Sequence, residues 1–536
     1  MNQRLTQLIL AYRAAAAREA LPVEGETIAV NDLVRRAASV YEVIRNTLEY
    51  SEAHLLRRNA IRRILRRRLS DDLMPELVAK ELLQELIWAR YLPNKAIPVV
   101  REREAAAVLQ KYVPLFEAAE ANPDSKRLSS WLFDLLSTEL EYLLVPPRRE
   151  EALVSFAYGT LKTHVDWSEK LELSEEEKDL QLFIGVHRTL LKSNQATLRF
   201  RIFHLFYPTW SKGDGALVTE IAEHLSVVHQ AVERELFHAM GEPVARMLRR
   251  KMVLFKVLHD ILTKDAEAFG ELAGNPSALE EAVKKAAKSR YGVFRARLMR
   301  LVLRAVVFLF FTKLVLAFII ELPYEVFVLK ESNYVPLLVN IIFHPVLLVI
   351  LGLTGTIPEK KNTELLVEGV TGMISGPSTS LGMDGTKGFE LKVRVKKPWA
   401  QGTAGFLFNL LYALTFLFSY GLIIVLLLTF HFNALSILLF LLFLSLVMFL
   451  GITIRRSKRE LVIVPGKSGI FMAIGDFFTL PVIRAGRWIS MRAPRINIFL
   501  FFLDFIVEAP FKMAIQIIEG WLAFMKEKKE EIDVER

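Results

Sequence analysis

Residues 405–430 (GFLFNLLYALTFLFSYGLIIVLLLTF) and 432–454 (FNALSILLFLLFLSLVMFLGITI) carry no acidic or basic side chain. At about 1.5 Å of rise per residue, a helix of either length covers the ~30 Å hydrocarbon layer of a bilayer. Both are apolar on every side, so such a helix has no face to offer water. Two further stretches fit the same length. AVVFLFFTKLVLAFIIELPYEVFVL (305–329) holds one lysine, and VPLLVNIIFHPVLLVILGLTG (335–355) holds no charge. The chain is therefore expected to cross a membrane about four times, as two hairpins.

The flanking charges set the expected orientation. Lys284, Lys285, Lys288, Arg290, Arg295, Arg297, Arg300 and Arg304 precede the first span. Seven basic residues lie in the connection after the second, and Arg455, Arg456, Lys458 and Arg459 follow the fourth. The links within the two hairpins hold only Lys330, beside Glu325 and Glu331. Basic residues are retained on the cytoplasmic side. Both termini are thus expected inside, with the chain in the cytoplasmic membrane.

The 52% hydrophobic and 24% charged residues of this 536-residue chain are segregated. Five regions are expected: a cytoplasmic helical domain (1–290), a basic juxtamembrane segment with the first hairpin (291–355), a cytoplasmic connection (356–403), the second hairpin (404–454) and a basic, amphipathic C-terminal region (455–536). Strand-like alternation is scarce before residue 300, and the fold class is all-α. In this Gly/Ser-rich connection GMISGPSTSLGMDGTKG (372–388) reads as a loop, and FELKVRV (389–395) alternates like a half-buried strand, consistent with a short strand pair. Beyond residue 466 no fifth crossing is clear. Asp504, Glu508, Lys512, Gln516 and Glu519 form a narrow polar stripe on an apolar helix, which Pro510 is expected to kink. Arg484, Arg487, Arg492 and Arg495 surround Trp488 and Ile489, and read as headgroup contacts or as a polar bundle face.

Catalytic signatures are incomplete. With no cysteine, the chain has no thiolate nucleophile, disulfide or thiolate metal site. PGKSG (465–469) resembles a phosphate loop, but Leu461 stands where the leading glycine is needed, and GMDGTKG (382–388) also fails the spacing. His224 and His229 are five apart, about 140° round a helix, and so lack the paired spacing of a hydrolytic zinc helix. His187, His204, His238 and His259 read as scattered core or surface residues. No metal and no cofactor is expected. Residues 220–240 weakly resemble a helix-turn-helix. Ser226 stands where glycine is usual in the turn, and Glu233 and Glu235 on the second helix would face phosphate poorly.

Within the spans, Lys313, Glu321, Asn340 and His344 are the unusual residues, since polar groups in hydrocarbon are costly. Lys313 sits near mid-span, with Glu321 about 12 Å further along, too far for a direct pair. Antiparallel folding would bring Asn340 to the depth of Glu321, with His344 deeper. The four form either a polar path or a set of satisfied contacts, or Lys313 snorkels to the inner surface.

LLRRNAIRRILRRRLSDD (55–72) holds seven arginines. On a helix, Ile61, Ile64, Leu65 and Leu69 share one face, with Arg62, Arg63, Arg66 and Arg67 roughly opposite. The expected element is a docked bundle helix with a basic outer surface. Acidic lipid or an acidic protein partner suits it first, and nucleic acid third, because no aromatic residues are interleaved for stacking.

FTKLVLAFIIELPYEVFVLKESNYVPLLVNIIFHPVLLVILGLT (311–354), with RRNAIRRILRRRL upstream, resembles multi-pass membrane proteins of ultrasmall candidate-phylum bacteria. The resemblance implies an integral cytoplasmic-membrane protein with a large inner domain, and it transfers no activity. The expected function is a non-enzymatic scaffold that binds an unidentified protein partner and anionic lipid. A transporter or channel built on the first hairpin is the alternative, and a membrane-tethered nucleic-acid binder the second alternative.

Overall fold

The computed structural model describes residues 3–22, 25–30, 53–69, 74–167, 172–330, 334–353, 359–375, 391–393, 403–457, 461–463, 470–492 and 521. The chain divides into two compact units, whose boundary falls between Leu248 and Arg249 rather than at residue 290. Among the described residues the structure is helical apart from two three-residue strands, β1 (Val165–Trp167) and β2 (Leu391–Val393). The all-α expectation holds. Arg495, the phosphate-loop lookalikes and the polar stripe beyond residue 500 lie outside the described residues, as do Ser70–Asp72.

The first unit contains α1 (Gln3–Ala20), α2 (Ala53–Arg68), α3 (Pro75–Trp88), α4 (Val100–Glu120), α5 (Ser125–Leu144) and α6 (Arg148–Lys162). After β1 come α7 (Glu175–Leu190), α8 (Gln195–Phe206), α9 (Gly215–Glu223), α10 (Leu225–Leu236) and α11 (Gly241–Leu248). The starts of these helices are written locally. Ser174 and Glu177 form a reciprocal capping box on α7, and Asn194 and Asp214 cap α8 and α9. Tyr112, Trp131, Phe203 and Trp210 are among the large side chains packed in one shared core with Ile61, Ile64 and Leu65 of α2.

The second unit contains α12 (Met252–Lys264), α13 (Phe269–Gly274), α14 (Pro276–Leu316), α15 (Tyr334–Leu353), α16 (Glu359–Ser375), α17 (Thr403–Thr429), α18 (Ala434–Ser457) and α19 (Ile470–Arg492). Four of its helices are long and apolar enough to cross a membrane: Pro276–Leu329, Tyr334–Leu353, Gly405–Thr429 and Ala434–Ile454. Their outward residues are greasy, with Phe308 71%, Leu417 75% and Phe327 78% exposed, while polar side chains such as Asn340 turn inward. That inversion suits a hydrocarbon solvent. The basic segment runs without a break into the first span in α14, which Asn275 caps.

Residues 359–375 form a helix, α16, which runs into the first residues of the stretch expected to be a loop. Leu366, Val370, Met373 and Ile374 are buried in it, and it packs on α12 and α14. Asn362 is the hub of this base. Its amide donates to Tyr291 Oη at 2.8 Å and to the Leu461 carbonyl at 2.8 Å, and its oxygen accepts from Ile463 N at 2.8 Å. The chain entering the first span and the chain leaving the fourth are thereby tied to one side chain. In the strand-like stretch, Leu391–Val393 is extended as the alternation suggested.

Close helix approaches rely on missing side chains. A Cβ on Gly451 of α18 would lie 2.5 Å from Leu351 of α15, and one on Gly486 would overlap the Ser445 carbonyl of α18. Accordingly α19 packs along the second hairpin, with Phe478 against Phe418 and Arg484 over the Tyr412 ring at 4.7 Å.

Candidate functional site

The first span changes winding near its far end. Ala317–Glu321 and Tyr324–Leu329 are π-helical, on either side of Pro323. Proline supplies no N–H and its ring crowds the carbonyl four residues back, so the wider winding accommodates it. Eight residues of α-helix would leave Glu321 about 80° away from Lys313. The π turns rotate less per residue and return Glu321 toward the lysine's face. The segment ends at Lys330, in the left-handed region at φ 53°.

These residues come together in a buried cluster. Lys313 Nζ donates to Asn340 Oδ1 at 2.5 Å, and the Asn340 amide donates to Glu321 Oε1. The same amide lies 3.4 Å from the Ser436 carbonyl of α18. His344, one helical turn beyond Asn340, sets Nδ1 3.2 Å from the Asn340 carbonyl and Nε2 3.0 Å from the Phe440 carbonyl. Lys313 also stands 4.2 Å from the Phe443 ring centre. All four residues singled out in the spans therefore meet at one place, with 3% exposure or less. Lys313 and Glu321 communicate through Asn340 and make no direct ion pair.

Three members were missed in the sequence. Glu325, placed above beside the hairpin link, is 2% exposed and accepts from Asn433 at 3.1 Å. Asn433 caps α18 by accepting from Ser436 N at 2.8 Å, and Ser436 is wholly buried. Asn-x-x-Ser ahead of an apolar run was the available signal for that cap. Glu321 Oε2, Glu325 Oε2 and the Ser436 hydroxyl have no hydrogen-bond partner. On one side the cluster reaches the hairpin ends at Lys330 and Asn433. On the other, Val302, Leu309, Leu348, Phe443, Val447 and Ile454 pack together as an apolar layer.

The basic candidates are divided by the fold. On α2, Arg62 Nε lies 2.8 Å from Asp134, and Arg67 reaches Glu85 at 2.6 Å. Arg58 and Arg199 also meet Asp134, at 3.4 and 2.7 Å. Arg63 is half-buried and engaged, and Arg66 alone of the four expected outer arginines is exposed. This differs from a basic outer face, because interior carboxylates draw the guanidinium groups inward. On α14, Arg295, Arg297, Arg300 and Arg304 are exposed, with Arg295 paired to Glu359. Arg455 and Arg456 lie in the last turn of α18, and Arg492 ends α19. Arg484 and Arg487 are exposed.

The helix-turn-helix reading meets a different geometry. Only His224 separates α9 from α10. Glu233 turns inward to Arg199, at 2.6 Å, and Glu235 is 5% exposed. The exposure expected for these two carboxylates is thus corrected: both serve the core. His187 is buried beside Phe183, and burial, with Arg201 nearby, pushes its imidazole down to about 3. Burial likewise lowers His229, which packs against Trp131. Among the described residues no three His, Asp or Glu side chains are grouped to hold a metal. Searches against protein-family models, curated proteins and solved structures find no match to this chain.

Proposed function

We propose that this chain is a membrane-anchored scaffold: two membrane hairpins hold a large helical unit at the cytoplasmic face, where that unit binds a protein partner. The observation that carries this reading is the apolar layer from Val302 to Ile454 beside the polar cluster. It favours an anchor over a conduit, because an apolar layer closes one side of the cluster. The exposed Arg295, Arg297, Arg300 and Arg304 form a basic collar where α14 enters the hydrocarbon, suited to anionic headgroups. With Arg62 and Arg67 engaged by carboxylates, the arginine-rich helix lends little to a nucleic-acid reading.

The test has two arms. Affinity capture of the full chain from native membranes is expected to retain a protein that is lost when residues 3–248 are deleted. Proteoliposomes of the full chain are expected to pass no ions. Ion flux abolished by Lys313→Met and Glu321→Gln would replace the scaffold with a transporter.

A further inference from the structure

The formal charges of the buried cluster do not cancel. Lys313 of α14 brings one positive charge, and its place over the Phe443 ring, 4.2 Å from the centre, suits an ammonium group. Glu321 and Glu325 of the π-helical segments bring two negative charges. His344 of α15 is the remaining ionisable member. The contribution of α18 is Asn433 and Ser436, which do not titrate, and its own arginines, Arg455 and Arg456, lie at its opposite end. With a neutral imidazole the sum is one negative charge, among side chains exposed by 3% or less. A net charge on side chains buried to this degree is disfavoured.

The imidazole geometry asks independently for another proton. Its two nitrogens face two backbone carbonyls, at 3.2 and 3.0 Å. Carbonyl oxygens only accept, and a neutral imidazole has one N–H. One of the two contacts therefore sets acceptor against acceptor until the second nitrogen is protonated. The carboxylates offer a second place for the same proton, since Oε2 of Glu321 and of Glu325 are buried without partners.

We propose that Lys313, Glu321, Glu325 and His344 form a site that takes up one proton beyond the lysine's own, from the hairpin side of the membrane unit. The step is an uptake alone. Hydronium delivers the proton to an imidazole nitrogen or a carboxylate oxygen, water leaves, and the cluster passes from one negative charge to neutrality. Glu325 beside Asn433 is the entry, next to the hairpin ends where Lys330 and His431 are exposed. The apolar layer lies on the other side, so the proton enters and leaves by the same end. Where His344 takes the proton, both ring nitrogens donate, one to the Asn340 carbonyl and the other to the Phe440 carbonyl of α18.

The experiment is infrared difference spectroscopy of the full chain in lipid nanodiscs, stepped in pH without sodium. The expected result is one titrating proton. It shows as a buried-carboxyl band removed by Glu325→Gln or Glu321→Gln, or as an imidazolium band removed by His344→Gln. Lys313→Met, which removes the neighbouring positive charge, is expected to raise the titration midpoint by about one pH unit or more. Two results would overturn the proposal. One is a wild-type spectrum with neither band, which needs no variant to fold. The other is a band that added sodium removes, since the compensating cation would then be the metal ion.

Discussion

Asn340 stands between Lys313 and Glu321, accepting a hydrogen bond from the ammonium group and donating one to the carboxylate. The two charges need this amide because they lie eight residues apart on one helix, while Asn340 comes from the next. Replacing Asn340 with leucine would strand both charges in the bundle. A loss of about 2–4 kcal/mol is expected, read as a lower unfolding temperature in detergent. The triple variant Lys313→Met/Asn340→Leu/Glu321→Gln should recover most of that loss, because removing a whole buried network is far cheaper than breaking it. Additive losses in the triple variant would contradict the bridging role.

Asp134 collects Arg58, Arg62 and Arg199. Asp134→Ala should therefore cost about 3 kcal/mol, as Arg58 and Arg62 lose this counter-charge and Arg199 keeps only Glu233. Arg66→Ala, on the exposed side of the same helix, should stay within roughly 0.5 kcal/mol of wild type. Denaturant titration of the full chain separates the two, and equal effects would oppose the inward reading of α2.

These arginines also mark where the sequence stopped being legible. The apolar face of α2 could be read from Ile61, Ile64 and Leu65, because helical period is a local property. The partners could not: Arg57–Glu141 and Arg58–Asp134 span 84 and 76 residues. The four spans were visible for the same local reason. Lys313, Glu321, Asn340 and His344 could be nominated because polar groups stand out in hydrocarbon, but their meeting depends on π turns and on the pairing of hairpins. Helix α16 was hidden by its Gly/Ser-rich surroundings, although Asn362, Leu366, Val370 and Met373 already had helical spacing.

Asn362 ties Tyr291 to the chain at Leu461 and Ile463. Asn362→Leu leaves the Ile463 N–H and the Leu461 carbonyl without this partner, an expected cost of about 1–3 kcal/mol. The loss should be local. Limited proteolysis near residue 461 is expected to accelerate, and an unchanged cleavage pattern would show that the tie does not hold that segment.

The helical unit should weaken in acid through His187. Its folded imidazole is held down to about 3 by burial, with Arg201 adding to the effect, against an ordinary value of 6.5. The unfolded chain therefore binds the proton first, and stability falls as pH drops from about 6.5 toward 3. One such proton contributes up to about 1.4 kcal/mol per pH unit. His187→Phe should flatten the slope of unfolding free energy against pH. Identical slopes in the two proteins would remove His187 as the cause.

The proposed anchor has its hairpin turns on the outer side and its helical unit inside. The chain has no cysteine, so single cysteines can be introduced without background. Cysteines replacing Lys330 and His431 mark the two turns, while replacements of Arg297 and Lys360 mark the basic side. In intact cells, a membrane-impermeant maleimide is expected to label positions 330 and 431 directly, and positions 297 and 360 only after permeabilisation. Direct labelling at 297 and 360 with protection at 330 and 431 would contradict the account.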